Sequence, residues 1–326
     1  MCLSRFQRVA LERFDTIIVP QVLRLRKPFM STHPRHTLVT LESAGYGVHL
    51  KLSAQMFRMH TSLVSILVSA AVAYAVLCAL LYFRQSSFIF FPGPNDSRLL
   101  QQLRANRFEI AGDGASLEGW WIDNPGATST VTILYFGGNA EDVLATASTA
   151  TQFNARHMVF ANYRGYGGST GRPGQQALYD DALALYDFTR KRGVSADQIV
   201  VMGRSLGTGV ASMLAAARPV RAAVLVTPFD SLAAVAARHY RWFPVRLLLK
   251  HPFPSIEWAG KARAPALFLA AKDDDIVPAT HAQKLFEAWQ GPKWMYVLDG
   301  ADHNNIEVQP DYLRRINEFL LSAAAT

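Results

Sequence analysis

Val200-Val201-Met202-Gly203-Arg204-Ser205-Leu206-Gly207-Thr208-Gly209 is the stretch on which the reading of this chain turns. A β-branched run enters it, and residues 211–217 leave it with helix-forming composition. Between them stands Gly-x-Ser-x-Gly, at Gly203, Ser205 and Gly207. Between a strand and a helix, this spacing predicts a nucleophile elbow: a tight turn that lifts a serine hydroxyl clear of the backbone. Side chains at the two glycine positions would collide with neighbouring backbone. The helix that follows would aim its first amides at charge developing beside the serine. The string alone is weak, since chance supplies it in roughly one chain in ten of this composition. A glycine-softened turn before a helix would look the same, so the context has to decide.

On either side of this stretch, strand-like runs are expected at 107–110, 117–123, 131–136, 157–162, 199–202, 222–227, 266–270 and 294–298. Helical patterns fall at 176–192, 206–217, 281–289 and 312–321, the first with Leu178, Ala182, Leu185 and Phe188 on one face. Apolar strands alternating with helices predict an α/β fold with a mostly parallel sheet covered on both faces. The elbow then sits mid-sheet, and ligands bind beyond the carboxyl ends of such strands. Three further stretches lie at those ends.

Phe136-Gly137-Gly138-Asn139-Ala140 follows the third strand. Its glycines let backbone approach a ligand, and the amides of Asn139 and Leu206 are the expected oxyanion donors. A plain strand-to-helix turn would read the same way. Ala271-Lys272-Asp273-Asp274-Asp275-Ile276-Val277-Pro278 holds three acids. One would orient a histidine, with Asp274 first choice, Asp275 second and Asp273 third. Gly300-Ala301-Asp302-His303-Asn304-Asn305 follows the last strand. His303 would take the Ser205 proton and return it to the leaving group. The chain order Ser205, Asp274, His303 is the one that accompanies a nucleophile elbow. Asp302 should point away and be structural. His239, His251 and His281 are rivals, placed beside a cap or at a helix start.

The 326 residues carry a formal charge of +8. Residues 1–60 hold nine Lys/Arg against three Asp/Glu, a net of +6, which leaves +2 for the rest. No basic groove is indicated, so a nucleic-acid partner is not expected. Cys2 lies in the basic leader and Cys78 in an apolar run, so no intrachain disulfide is expected. No cluster has metal-ligand spacing, and no metal or organic cofactor is implied.

Residues 1–55 read as irregular, and Met56 is a second candidate start, with the short prefix Met56-Phe57-Arg58 before a hydrophobic helix. Ser62 to Phe83 holds no charged residue and is long enough to cross a hydrocarbon core of roughly 30 Å. A buried core helix and a cleaved signal peptide are the competing readings. The run is longer than a signal h-region and has no small-residue cleavage site, and bulky Leu77 argues against a lipoprotein site at Cys78. Arg58 and the leader put the N-terminus in the cytoplasm and the body across the membrane, although Arg84 weakens that asymmetry. The expected division is a leader at 1–60, a transmembrane helix at 61–83 and a body at 84–326.

Taken together, these residues resemble the α/β-hydrolase superfamily, in particular its membrane-anchored branch of serine aminopeptidase-like and depalmitoylase-like proteins. Phe136-Gly137-Gly138-Asn139-Ala140, the elbow, Thr227-Pro228-Phe229-Asp230-Ser231, the Asp274 loop and Asp302-His303-Asn304 carry the match over about 85–322. So does Asn162-Tyr163-Arg164-Gly165-Tyr166-Gly167-Gly168-Ser169-Thr170-Gly171, which the resemblance gives a structural role shaping the loop after the fourth strand. Two departures stand out. The branch has His-Gly-Asn-Ala where this chain has Gly137-Gly138-Asn139-Ala140, which removes a side-chain contact. It has Asp-Tyr-Arg where this chain has Asn162-Tyr163-Arg164, a change expected to loosen a local charge pair. The resemblance implies an active serine hydrolase on an ester, thioester or lipid substrate. An aminopeptidase-like peptidase, an acyltransferase and a catalytically silent tethered binding protein are the alternatives. Residues 231–261 would form a short helical cap, with Trp242, Phe243, Leu247, Leu248 and Leu249 either walling an acyl site or, on the favoured reading, packing down on the body.

Overall fold

The computed structural model describes residues 46–324, with side chains from 55 to 322. The expectations for residues 1–45, Cys2 included, lie outside the described residues. The chain divides into two units, 1–80 and 81–326.

Helix α1 runs over Tyr46–Ile89. It starts ten residues earlier than the irregular stretch expected to end at residue 55. No proline falls between Pro34 and Pro92, and Leu50, Lys51, Leu52, Ala54 and Gln55 are helix formers, so nothing breaks the propagating helix. Its span Gln55–Ile89 is apolar and long enough to cross a membrane.

In the second unit α2 (Ser97–Gln102) is capped by the Asp96 side chain, which accepts from the amides of Arg98 and Leu99. There follow β1 (Arg107–Gly112), β2 (Ala115–Asp123), β3 (Thr132–Phe136), α3 (Val143–Ala147), β4 (His157–Ala161), α4 (Gln175–Lys191), β5 (Ile199–Arg204), α5 (Leu206–Ala217) and β6 (Ala222–Val226). Then come α6 (Leu232–His239), α7 (Val245–Leu248), α8 (Ser255–Ala259), β7 (Ala266–Ala271), α9 (Ala279–Ala288), β8 (Lys293–Leu298) and α10 (Pro310–Ala324). The strands form one eight-stranded sheet in the order β1-β2-β4-β3-β5-β6-β7-β8. β2 pairs antiparallel with β1 and β4, and every other pairing is parallel.

Alternation along the strands makes two cores. Leu134, Val201, Leu225 and Phe268 pack one face under α4, α5 and α9, through Leu178, Val210 and Leu285 among others. Ile133, Tyr135, Val200, Met202 and Leu267 pack the other face under α3 and α10, through Leu144, Ile316 and Leu320. Central strands buried on both sides explain why β3 and β5 read as unbroken apolar runs. β5 is thereby held in the middle of the sheet, and its carboxyl end delivers Ser205.

Candidate active site

Ser205 follows the last residue of β5 and precedes the first of α5, with φ 48° and ψ −115°. Positive φ on a non-glycine residue is strained and persists only where the surroundings enforce it. Here the two glycines do so. A Cβ on Gly203 would lie 2.3 Å from the carbonyl oxygen of Gly207. One on Gly207 would lie 2.0 Å from the carbonyl oxygen of Phe136. The turn closes because both side chains are missing, and the closure presses the first turn of α5 against the end of β3.

The loops after β7 and β8 bring their residues to this serine. His303 Nε2 lies 2.9 Å from Ser205 Oγ, and its Nδ1 lies 2.7 Å from Asp274 Oδ2. An ionised carboxylate only accepts, so Nδ1 carries the proton and Nε2 is left to accept from the Ser205 hydroxyl. The other Asp274 oxygen accepts from the amides of Ile276 (3.0 Å) and Val277 (2.7 Å), which fixes the carboxylate in place. His303 and Asp274 are 3% and 6% exposed, so water competes little for either bond. Asp273 and Asp275 are exposed. Asp302 turns into its own loop and accepts from the amides of Asn304 and Asn305.

The rival histidines are occupied elsewhere. His281 Nδ1 bonds Asp230 Oδ1 at 2.6 Å in a buried pair. Burial pushes the Asp230 carboxyl up, but its bonds to His281 and to the Ser231 amide outweigh that and hold it below the usual range. His239 Nε2 meets the Ile276 carbonyl, and His251 Nε2 meets Ser86 Oγ.

The Gly137–Ala140 loop is built from beneath by the Tyr163 run. Tyr163 Oη donates to the Gly137 carbonyl at 2.9 Å, and Tyr166 Oη donates to Asn139 Oδ1 at 2.9 Å. Burial pushes both phenols above their ordinary range, so both stay protonated donors. Ala140 turns the loop with φ 58°. The loop after the fourth strand therefore shapes the loop after the third. Asn162 also differs from expectation. Arg164 is paired with Asp181 at 2.7 Å, and Asn162 instead donates to Asn95 Oδ1 and to the buried Glu118. The charge pair is intact because its acid comes from α4.

One residue of the elbow acts in a way its sequence position concealed. The buried Arg204 guanidinium donates through Nη2 to the His303 carbonyl at 3.0 Å. It also lies 3.6 Å from Glu141 and 3.3 Å from Glu307. Glu141 in turn accepts from the Gly138 amide at 2.6 Å and from Tyr135 Oη at 2.7 Å. Arg204 thus joins the elbow, the histidine loop and the glycine loop. Burial alone would push its pKa down, but the carboxylates of Glu141 and Glu307 more than offset this. The available signal was a charge at the end of a strand buried on both faces, where only a paired group can persist. Arg204→Met leaves two carboxylates without their cation. It is expected to cost about 3–5 kcal/mol, read as a lower midpoint in denaturant unfolding, with Arg204→Lys recovering part of the loss.

Among the described residues no group of three or more His, Cys, Asp or Glu is placed to hold a metal ion. Cys78 is a free thiol. The site's chemistry is that of a hydroxyl, an imidazole and a carboxylate in line.

The serine hydrolase family profile matches residues 186–320. The chain is 37% identical over 264 residues to the uncharacterized protein MT2364 of Mycobacterium tuberculosis, covering 78% of this chain and 93% of that one. It is 30% identical over 195 residues to alpha/beta hydrolase domain-containing protein 17B of Homo sapiens, covering 58% of this chain and 66% of that one. Among solved structures, the esterase Pf2001 of Pyrococcus furiosus shares the fold, with a TM-score of 0.56 and 18% identity over 72% of this chain and 98% of that one. The chain belongs to the α/β-hydrolase superfamily, in its serine hydrolase family.

Proposed function

We propose that this chain is a membrane-anchored serine hydrolase that cleaves a carboxylic ester or thioester through an acyl-enzyme. The observation that carries the reading is the line Asp274–His303–Ser205, with contacts of 2.7 and 2.9 Å, ending on a serine in strained backbone. In the first step Ser205 Oγ bonds to the acyl carbon while His303 Nε2 takes its proton. Asp274 stabilises the imidazolium. The carbonyl oxygen becomes an oxyanion beside the amides of Asn139 and Leu206, the latter at the N-terminus of α5, where the helix dipole favours negative charge. The carbon–oxygen or carbon–sulfur bond breaks, and His303 protonates the leaving group. Water then attacks the acyl-enzyme by the same path in reverse and frees the acid.

Esters are favoured over amides because the solved structures of this fold include proteins named as esterases. Residues 61–83 are the anchor on this reading, 84–326 the hydrolase domain and about 231–261 its cap. Arg58 and the leader hold the N-terminus on the cytoplasmic side, with the hydrolase domain on the far side.

A fluorophosphonate probe tests the reading. The purified full chain is expected to be labelled on Ser205, and Ser205→Ala is expected to lose the label. A folded wild type that takes no label would sink the hydrolase reading. Turnover of aminoacyl-arylamides in preference to esters would move it to a peptidase.

A further inference from the structure

The cap is bonded to the end of the anchor helix, and the contacts lie wholly within residues 81–326. Gln85 stands two residues past Phe83, about 3 Å of helix rise beyond the last residue of the uncharged run. Its Nε2 donates to the Leu248 carbonyl at 3.0 Å, and its Oε1 accepts from the Lys250 amide at 2.6 Å. Lys250 Nζ sits 4.0 Å from the Tyr82 ring centroid. Phe90 then packs edge-on against His251 and Phe253 of the cap.

The same short connection reaches the site. The Phe91 amide donates to Asn139 Oδ1 at 3.1 Å and to Tyr166 Oη at 3.0 Å. Seven residues separate Phe83 from Phe91, six of them helical, so the Phe91 amide, which bonds the glycine loop, lies within roughly 15 Å of the end of the apolar run. On the far side of the cap, His239 bonds the Ile276 carbonyl at 3.0 Å, two residues from Asp274. Cap and site together are therefore held where the uncharged helix ends.

The outer face of the cap carries a distinct chemistry. Leu247 is 86% exposed and Trp242 is 80% exposed, against the expectation that both would pack down on the body. The same region sends Val235, Phe253 and Ala259 into the core instead. Arg238, Arg241, Arg246 and Lys250 are exposed in the same segment, and the Arg241 guanidinium lies 6.0 Å from the Trp242 ring centroid. No Asp or Glu occurs between Asp230 and Glu257. An exposed tryptophan and leucine in a segment that carries four exposed cations and no anion match a surface of acyl chains beneath phosphates.

We propose that the 238–250 face of the cap seats on an anionic phospholipid bilayer, the one its own helix enters, and that this seating presents the Ser205 site to esters carried in that bilayer. The proposal rests on the anchored-hydrolase reading. Continuity with the helix end identifies the occupant, and the charge of the segment identifies the lipid.

The test uses the full chain in vesicles of phosphatidylcholine with and without phosphatidylglycerol. An environment-sensitive fluorophore is placed on Leu247→Cys in a Cys2→Ala, Cys78→Ala background, and separately on native Cys78 with Cys2→Ala. With phosphatidylglycerol present, the Leu247→Cys probe is expected to shift blue and to be quenched by nitroxide-bearing lipid. Arg241→Glu with Arg246→Glu is expected to reverse both effects. The same double variant should lower turnover of a bilayer-borne long-chain ester roughly ten-fold or more, while turnover of a soluble short-chain ester, which reports intact folding, stays unchanged.

A Leu247→Cys probe that stays in water while the Cys78 probe is quenched overturns the docking surface and leaves the anchor standing. An unquenched Cys78 probe overturns the anchor and the proposal with it. A blue shift without nitroxide quenching marks contact with a second copy of the chain and overturns the bilayer as occupant. Failure to turn over either ester overturns the hydrolase reading, while the quenching result still decides the docking surface.

Discussion

Ser205→Ala is expected to lower turnover of an acyl ester by about four to six orders of magnitude, with thermal stability almost unchanged. His303→Ala should fall nearly as far, because the serine hydroxyl is a poor nucleophile without a base within hydrogen-bond reach. The two losses should not add, since each removes the same step. Asp274→Asn is expected to cost about four orders. The amide in its place offers His303 Nδ1 a donor as readily as an acceptor, and the wrong tautomer then faces Ser205 at 2.9 Å. Asp273→Asn should be nearly silent, because Asp273 is exposed while Asp274 is 6% exposed and bonded to His303. Steady-state kinetics on one chromogenic ester decides between them. A lethal Asp273→Asn beside an active Asp274→Asn would reassign the acid.

Gly207→Ala should damage both the fold and the site. Helix propensity alone favours alanine over glycine by about 1 kcal/mol, and Gly207 lies in the first turn of α5. Steric contact runs the other way and is larger. The new Cβ would stand 2.0 Å from the Phe136 oxygen, 2.6 Å from the Phe136 carbonyl carbon and 2.7 Å from the Gly137 oxygen. All three are backbone atoms, so no rotamer change relieves the contact. The net effect is expected to be a loss of about 3 kcal/mol or more, seen as a lower unfolding midpoint. The end of β3 must move, and the Asn139 amide moves with it, so fluorophosphonate labelling should fall even in the fraction that stays folded. Gly93→Ala is the control. Nothing lies within 4 Å of its Cβ, and its stability should change by no more than about 0.5 kcal/mol. A stable, fully labelled Gly207→Ala would mean that the elbow and the glycine loop are not in forced contact.

Much of this architecture could be read before any coordinates. The apolar runs at β3, β5, β6 and β7 are buried on both faces, so their composition is almost wholly set by burial and is conspicuous in the chain. Gly203, Ser205 and Gly207 were legible because a strained turn admits few residue types. Asp274 and His303 were legible by their place after strands in a fixed chain order. Arg204 was not, because its partners come from residue 141, residue 307 and a carbonyl at 303, and no local pattern joins them. Tyr163 and Tyr166 could be placed on a loop, but their support of Gly137 and Asn139 depends on β4 lying beside β3 in the sheet.

The α/β alternation, the strained serine and the length of the uncharged run at 62–83 are legible in the sequence, because each depends on neighbours along the chain. Only the folded chain reveals that Arg204 joins the loops at residues 141, 303 and 307, that Tyr163 and Tyr166 hold the glycine loop, and that Trp242 and Leu247 are turned outward. Those outcomes turn on distances between segments up to about a hundred residues or more apart in the chain. Sheet order and core packing set such distances, and local propensity carries no record of them.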